Sequence, residues 1–344
     1  MTRRVYLHIG APKTGTTAIQ TRLHRNSGSL LEQGLLVPRA ARGPRRSGLA
    51  LRAALELTDL RLGQDPAAIE GSWRELVDQV VAHDGTVVIS HEAFVRCDET
   101  AVATVVAALG AGAELHVLYT ARDLGKQLVS GWLEGLKNGG TDELATHMGR
   151  ARTGELPLRA SFDVPVVLGH WLAHLPADRV HLMTVPAPGG DRTLLWRRFA
   201  DLVGIEDAWA PKDPPRTNES VGVPEAQLLL ALNRELDGSN RRGGPDHRIV
   251  RRLVVARSLV GREGPRVEVP SEHADWLRAD VEAWIDWLAI SGVDVVGDLD
   301  ELRAAESVDP GAWPDVGVSH PGVAAAAAAA LAGLVHELPR PDGG

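Results

Sequence analysis

The sequence predicts an α/β fold in which a three-layer parallel sheet, with helices on both faces, occupies residues 1–205. Two observations predict it. Short apolar segments alternate with amphipathic segments of helical period, which is the pattern of parallel strands joined by crossover helices. A glycine-containing loop lies between the first strand and the first helix, as at the start of a strand, crossover, strand unit.

Four segments have the length and apolar content of buried strands. They are residues 5–9, 86–90, 114–120 and 180–185. Amphipathic stretches between them predict helices at 16–24, from Ser29 onward, and at 67–83, 100–109, 124–136 and 191–203. Residues 39–48, RAARGPRRSG, are basic and interrupted by Gly and Pro, which indicates a loop that could serve as a lid.

Residues 205–223 are rich in Pro and polar residues, and the chain after them shows only helical patterns, so we expect residues 206–338 to form a helical C-terminal region packed on the core. The predicted helices are 224–236, 247–260, 271–290 and 321–336. Trp276, Trp284 and Trp287 fall on one helical face, which is more typical of core than of a ligand platform. Residues 339–344 are expected to be a disordered tail.

Composition and charge narrow the classes of function. The chain has 344 residues, 44% of them hydrophobic and 24% charged, and a net charge of −8 that gives no general attraction to nucleic acid. The single cysteine, Cys97, excludes an intramolecular disulfide and a Cys-rich zinc site. We find neither a signal peptide nor an apolar segment of membrane-spanning length, and therefore expect a cytoplasmic protein without an integral membrane segment.

The segment HIGAPKTGTT at residues 8–17 carries the first functional motif. Gly10 and Gly15 have the spacing of a phosphate-binding P-loop, but that loop continues with Lys and Ser or Thr. Here the lysine, Lys13, lies inside the loop, and the strand at 86–90 is followed by no aspartate that could complete a magnesium site. A loop before a helix still offers backbone N–H groups and the positive end of the helix dipole. The sequence therefore favours metal-free binding of a phosphorylated ligand.

The stretch PKTGTT after a strand resembles the 5′-phosphosulfate loop of bacterial-type sulfotransferases that use 3′-phosphoadenosine 5′-phosphosulfate (PAPS). The resemblance covers residues 1–205 and implies a sulfotransferase fold related to that of P-loop nucleotidases. It further implies that the 5′-phosphate is held by Lys13, Thr14, Gly15, Thr16 and Thr17. Lys13 would also approach the bridging oxygen, and the released product would be 3′,5′-adenosine bisphosphate.

A second motif lies at residues 116–132, HVLYTARDLGKQLVSGW. Arg122 follows a predicted strand directly, Asp123 can cap the next helix, and Ser130 lies two helical turns on. Because ligands of open parallel sheets bind at the carboxyl ends of strands, Arg122 can present its planar fork to the same crevice as the glycine loop. The spacing resembles the family's motif for the 3′-phosphate, an Arg followed eight residues later by a Ser.

Transfer of a sulfonate group to a hydroxyl requires a base that takes the acceptor's proton. His91 and Glu92 follow the strand at 86–90, and the family resemblance allows either type of residue in this role. We expect only one of them to face the donor, because successive side chains of a strand point to opposite faces. We favour His91, because its ordinary pKa leaves it largely neutral at cellular pH, and Glu92 is the alternative. A non-catalytic interpretation is that neither residue is the base and both cap the next turn.

The sequence thus predicts a PAPS-dependent sulfotransferase acting on a small-molecule, glycan or lipid acceptor without a metal. The alternatives are a non-catalytic nucleotide-binding or anion-binding protein on the same fold and, less favoured, a P-loop kinase or NTPase. In the loop at 214–223, Arg216, Asn218 and Ser220 could contact the nucleotide, although an ordinary surface loop is the simpler interpretation.

Overall fold

The computed structural model describes residues 3–40, 48–58, 65–187, 191, 193–215, 221–241, 244–303 and 320–337. Most of the predicted basic loop at 39–48, the predicted contacts Arg216, Asn218 and Ser220, and the predicted tail at 339–344 lie outside the described residues.

Six strands form one sheet in the order β2-β3-β1-β4-β5-β6, and all neighbouring pairs are parallel. The strands are Arg4–Gly10 (β1), Leu35–Leu36 (β2), Thr86–Ser90 (β3), Glu114–Ala121 (β4), Val180–Thr184 (β5) and Asp294–Val296 (β6). The predicted fold class is confirmed, as are the four predicted strands. The sequence missed β2 and β6, because two or three residues are too few to show a strand period.

The helices occur where helical periodicity predicts them, together with several shorter ones. The α-helices are Thr16–Arg25 (α1), Ser27–Glu32 (α2), Leu49–Leu57 (α3), Pro66–Ile69 (α4), Ser72–Val81 (α5), Glu99–Leu109 (α6), Leu124–Lys137 (α7), Leu144–Arg152 (α8), Pro157–Ala160 (α9), Val164–Leu172 (α10), Leu194–Val203 (α11), Val223–Glu235 (α12), His247–Ile249 (α13), Ala274–Ser291 (α14) and Val323–Glu337 (α15). A π-helix, Val250–Leu259, extends α13, and a 3₁₀ turn, Glu92–Arg96, follows β3.

Helices cover both faces of the sheet. On one face a hydrophobic cluster joins α1, α2 and α11 to alternate residues of the strands, among them Tyr6, Val88, Leu118 and Met183. On the other face α10 packs against β4 and β5. Tyr119 points to that face, is fully buried, and donates its hydroxyl proton to a carbonyl just before α10. This arrangement leaves the carboxyl ends of the strands for the loops that carry the predicted site.

The chain divides into two compact units. The first consists of Met1–Gln127, Pro157–Pro215 and Leu277–Ala304, and contains the whole sheet. The predicted boundary at residue 205 therefore differs from the observed division. Residues 277–304 belong to the first unit because β6 pairs with β5, and because Arg159 donates to Asp280 at 2.7 Å.

The second unit consists of Leu128–Leu156, Arg216–Trp276 and Ala305–Gly344, and the part that the structure describes is helical. Its buried Asn233 donates from one amide to the carbonyls of Leu136 and Gly140, at 2.8 and 2.7 Å. The helix α7 starts in the first unit and continues into the second. Among the helices that the structure describes, none combines the length and the apolar content that crossing a membrane requires.

Candidate functional site

The strand order places a switch point between β1 and β4. The chain leaves β1 toward β2 and β3 on one side, whereas it leaves β4 toward β5 on the other. Neighbouring strands whose connections diverge open a crevice at their carboxyl ends, and open α/β sheets bind ligands there. The glycine loop, residues 10–15, follows β1 at this crevice, and Arg122 follows β4.

Three left-handed residues shape the glycine loop. Gly10 and Gly15 have φ values of 83° and 84°, and Lys13 has a φ of 69°. A left-handed backbone is uncommon for a residue with a side chain and is often found at functional sites. Gly15 occupies the N-cap of α1, which begins with neither a side-chain cap nor an acidic residue in its first turn. Since the first N–H groups of a helix have no acceptor within the helix, they are available to an anion at this loop.

The three threonines of the motif have different environments. Thr14 is fully buried, and its hydroxyl donates to the Ala11 carbonyl at 2.6 Å and lies 2.5 Å from the Thr120 hydroxyl of β4. The Thr14 hydroxyl therefore holds the loop against β4 and is already engaged. The backbone N–H of Thr14 is the group that could bind a phosphate. Thr16 is also buried, whereas Thr17 is exposed.

The structure brings the two sequence motifs together. The Arg122 guanidinium donates from Nη1 to the Lys13 carbonyl at 3.2 Å, and Gln127 donates from Nε2 to the Pro12 carbonyl at 3.1 Å. Burial lowers the pKa of Arg122 from 12.5, with Asp123 partly offsetting it, and the group stays cationic at neutral pH. The Arg122 side chain therefore lies against the backbone of the loop that carries Lys13.

The start of α7 has the cap that the sequence predicts. The Asp123 carboxylate accepts the backbone N–H of Lys126 at 3.0 Å and lies 3.3 Å from its ammonium group. Ser130 is in α7 but belongs to the second unit. Its predicted role beside Arg122 in binding a 3′-phosphate therefore stays a prediction.

A buried histidine lies beneath the glycine loop. His8 is fully buried on β1, with Nδ1 2.7 Å from the Ser90 hydroxyl and Nε2 3.5 Å from the Thr120 hydroxyl. Burial is the main cause that lowers its pKa from 6.5 to about 4. His8 is thus a neutral hydrogen-bonding group that connects the ends of three strands below the loop.

The two candidate bases have different partners. His91 is the N-cap of the 3₁₀ turn, and its Nδ1 accepts the Ala93 N–H at 3.0 Å. Burial lowers the pKa of His91, partly offset by Glu92, so the ring is neutral near pH 7 and carries its proton on Nε2. The Glu92 carboxylate accepts the Gln20 amide of α1 at 2.8 Å. Burial alone would raise the pKa of Glu92, but His91 and Gln20 more than offset it and hold that pKa below 4.5.

Sequence reasoning missed two residues of this site. His8 stands in an otherwise apolar strand directly before Ile9 and Gly10, and that polar interruption is a signal that could have identified it. Gln20 gives no such signal, because its contact with Glu92 joins residues 72 positions apart. No group of three or more His, Cys, Asp or Glu side chains suited to a metal ion occurs within the described ranges.

Comparison with known proteins finds little. No protein-family model matches the chain, and no curated protein matches it either. Among solved structures, a sulfotransferase from Alicyclobacillus acidocaldarius matches 68% of this chain and 93% of its own, with 12% identity and a TM-score of 0.43. So weak a likeness does not bear on activity, and function has to be inferred from the side chains themselves.

We predict that Gly10→Ala destabilises the protein more than Gly34→Ala does. Both glycines have a left-handed backbone, with φ of 83° and 81°, so each alanine introduces strain of about 1 kcal/mol. A Cβ at Gly10 would also lie 2.7 Å from the Glu92 Cβ, whereas one at Gly34 meets nothing within 4 Å. The clash should add about 1–3 kcal/mol, measured as the difference in unfolding free energy in urea. Equal losses for the two variants would contradict the observed packing of Glu92 on the loop.

We also predict that buried His8 makes the protein less stable in acid. The unfolded chain takes up a proton on His8 near pH 6.5, whereas the folded chain does so only near its pKa of about 4. Stability is therefore lost as pH falls through this window, by about 3 kcal/mol for this group. Urea unfolding at pH 6.5, 5.5 and 4.5 should show a shallower pH dependence for His8→Asn than for the wild type. An unchanged pH dependence would show that His8 has the same pKa in the folded and the unfolded chain, which would contradict its burial as a neutral group.

Proposed function

We propose that this protein is a PAPS-dependent sulfotransferase that moves a sulfonate group to an acceptor hydroxyl or amine. One observation carries the proposal: the Arg122 guanidinium and the lysine-bearing glycine loop, each recognised as a phosphate motif in the sequence, are hydrogen-bonded to one another at 3.2 Å. Two phosphate-binding elements at one switch point suit a ligand with two separate phosphates, as PAPS has.

Different residues bind the two phosphate groups of PAPS in this proposal. Backbone N–H groups at Thr14, Gly15, Thr16 and Thr17 hold the 5′-phosphate at the start of α1, and Lys13 adds a positive charge at the bridging oxygen. Arg122 offers its planar fork to the 3′-phosphate. Because the charge needed at the leaving oxygen comes from Lys13, the mechanism uses no metal.

The chemical step is an in-line displacement at sulfur. The acceptor oxygen forms a bond to sulfur while the bond between sulfur and the bridging phosphate oxygen breaks, and that electron pair goes to the 5′-phosphate. The acceptor's proton goes to the base, and 3′,5′-adenosine bisphosphate leaves. Lys13 stabilises the charge that develops on the leaving oxygen.

The contacts favour Glu92 over His91 as the base, which reverses the preference drawn from the sequence. The Nδ1 lone pair of His91 already accepts the Ala93 N–H, and Nε2 carries the ring proton. The Glu92 carboxylate is ionised at neutral pH because its pKa lies below 4.5, and one Gln20 amide leaves it further capacity to accept a proton. In this proposal His91 caps the 3₁₀ turn and thereby fixes the position of Glu92.

The setting we propose is a reducing one such as the cytoplasm. Cys97 is buried, and burial raises its pKa from 9.0 to about 12. A thiol with so high a pKa is poorly reactive, which suits a structural role in the core.

We predict opposite effects of Lys13→Gly on stability and on turnover. Glycine removes the left-handed strain at φ 69°, so unfolding free energy should rise by about 0.5–1 kcal/mol. Loss of the charge should lower kcat by roughly 10²-fold. Asp237→Gly is the matched control, since Asp237 also has a positive φ, 43°, but lies in the second unit. The Asp237→Gly variant should gain stability without losing activity. A near-normal kcat of Lys13→Gly would show that Lys13 takes no part in the chemical step.

We predict that Glu92→Gln abolishes transfer whereas His91→Asn preserves it. Glutamine keeps the shape of Glu92 but takes up no proton, so the rate of transfer from labelled PAPS should fall by roughly 10²–10⁴-fold. Asparagine is a good N-cap and can accept the Ala93 N–H in place of His91, so its rate should stay within about threefold. Both variants are checked for affinity to 3′,5′-adenosine bisphosphate. The opposite ranking, with His91→Asn inactive and Glu92→Gln active, would make His91 the base.

A further inference from the structure

The second unit carries a concentration of arginine in a chain that is acidic overall. Residues 241–262 contain seven arginines and one acidic residue, Asp246, whereas the whole chain has 45 acidic and 37 basic side chains. Arg251 uses its charge within the unit, in an ion pair with Glu134 at 2.8 Å. A local excess of positive charge attracts anions even where the net charge of the protein is negative.

Helix geometry places three exposed arginines of this segment on one face. Arg248 belongs to α13, and Arg252 and Arg257 belong to the π-helix that extends it. A π-helix is hydrogen-bonded between residues five apart, so side chains at that spacing lie one turn above each other, as those four apart do in an α-helix. The three arginines have these spacings and form a ridge of positive charge, which we call the arginine ridge.

Exposed apolar side chains accompany the arginine ridge. Within the described part of the second unit, the exposed large hydrophobic residues are Ile249, Leu331 and Val335, at 48%, 64% and 64% exposure. Ile249 directly follows Arg248. Leu331 and Val335 lie one turn apart on the same face of α15, and residues 323–335 of that helix carry no charge.

Close packing joins α15 to the π-helix at the level of these side chains. A Cβ at Gly333 would clash with the Ser258 hydroxyl and would lie 3.8 Å from the Leu253 carbonyl oxygen. The two exposed apolar residues of α15 are two positions on either side of Gly333, and the last two arginines of the ridge directly precede Leu253 and Ser258. The arginine ridge and the apolar side chains therefore belong to adjacent turns of one helix pair.

We propose that this helix pair binds an anionic membrane surface. The arginine ridge contacts lipid phosphate groups, while Leu331 and Val335 enter the boundary between headgroups and acyl chains. A membrane is the partner that uses both features, because nucleic acid or another soluble polyanion would pair with the arginines and leave the apolar side chains in water. This binding is independent of the proposed sulfonate transfer.

The test is sedimentation of the full chain with lipid vesicles. Vesicles of three parts phosphatidylcholine to one part phosphatidylglycerol should bind the protein at least tenfold more tightly than phosphatidylcholine alone, and added salt should weaken this binding. Arg248→Gln combined with Arg252→Gln should weaken it at least tenfold, since each arginine near an anionic surface contributes about fivefold. Arg25→Gln combined with Arg74→Gln is the matched control. It removes the same charge from exposed helical positions of the first unit and should change vesicle binding by less than about twofold.

A second pair of variants tests the apolar side chains. Leu331→Ala combined with Val335→Ala keeps good helix formers in α15 and should weaken vesicle binding by about fivefold or more. Leu31→Ala combined with Ile290→Ala is the control, because these side chains are also exposed, by 50% and 85%, but lie in the first unit. It should bind vesicles as the wild type does.

Two kinds of result would overturn the proposal. No gain in binding from phosphatidylglycerol, or equal losses in the variants and their controls, would show that this helix pair is not a membrane site. Wild-type vesicle binding by the alanine variant of α15, together with tight binding of dextran sulfate that the arginine variant loses, would identify a surface for a soluble polyanion instead. Affinity for 3′,5′-adenosine bisphosphate should be equal in all four variants, so that failure of this proposal leaves the donor site standing.

Discussion

The candidate site depends on the contact between the glycine loop after β1 and the end of β4. Thr14 is buried against Thr120, and the Ala11 N–H donates to the Thr120 carbonyl at 2.8 Å. These contacts hold the loop against the neighbouring strand, so Lys13 keeps its left-handed backbone and Arg122 reaches the Lys13 carbonyl. Without them the start of α1 would present its N–H groups with no arginine beside them.

Buried neutral groups support this arrangement. His8 and His24 both have their pKa lowered to about 4, and His91 is shifted in the same direction. Near neutral pH these rings are uncharged, so among the residues that we propose to contact the donor or the acceptor the positive charge comes from Lys13 and Arg122 and the negative charge from Glu92. A proposed site with charges of both signs suits a reaction in which a proton leaves one oxygen while negative charge develops on another.

The sequence predicted those parts of the site that depend on strand ends. Gly10, Gly15, Lys13 and Arg122 could be placed together because parallel strands bring their carboxyl ends to one edge. The sequence favoured His91 over Glu92 on the basis of its ordinary pKa, but it could not show which side chain faces the donor, because the chain turns into a 3₁₀ helix there and strand alternation no longer applies. The short strands β2 and β6 and the assignment of residues 277–304 to the first unit likewise depend on long-range pairing that local periodicity does not show.

We propose that the crevice between β1 and β4 binds a nucleotide through two separate phosphates and without a metal. Calorimetric titration of the wild-type protein with 3′,5′-adenosine bisphosphate, adenosine 5′-phosphate, and ATP with magnesium tests it most directly. We predict tight binding of the bisphosphate in the presence of a chelator, with binding of the 5′-phosphate at least tenfold weaker. Tighter binding of ATP with magnesium than of the bisphosphate would contradict it.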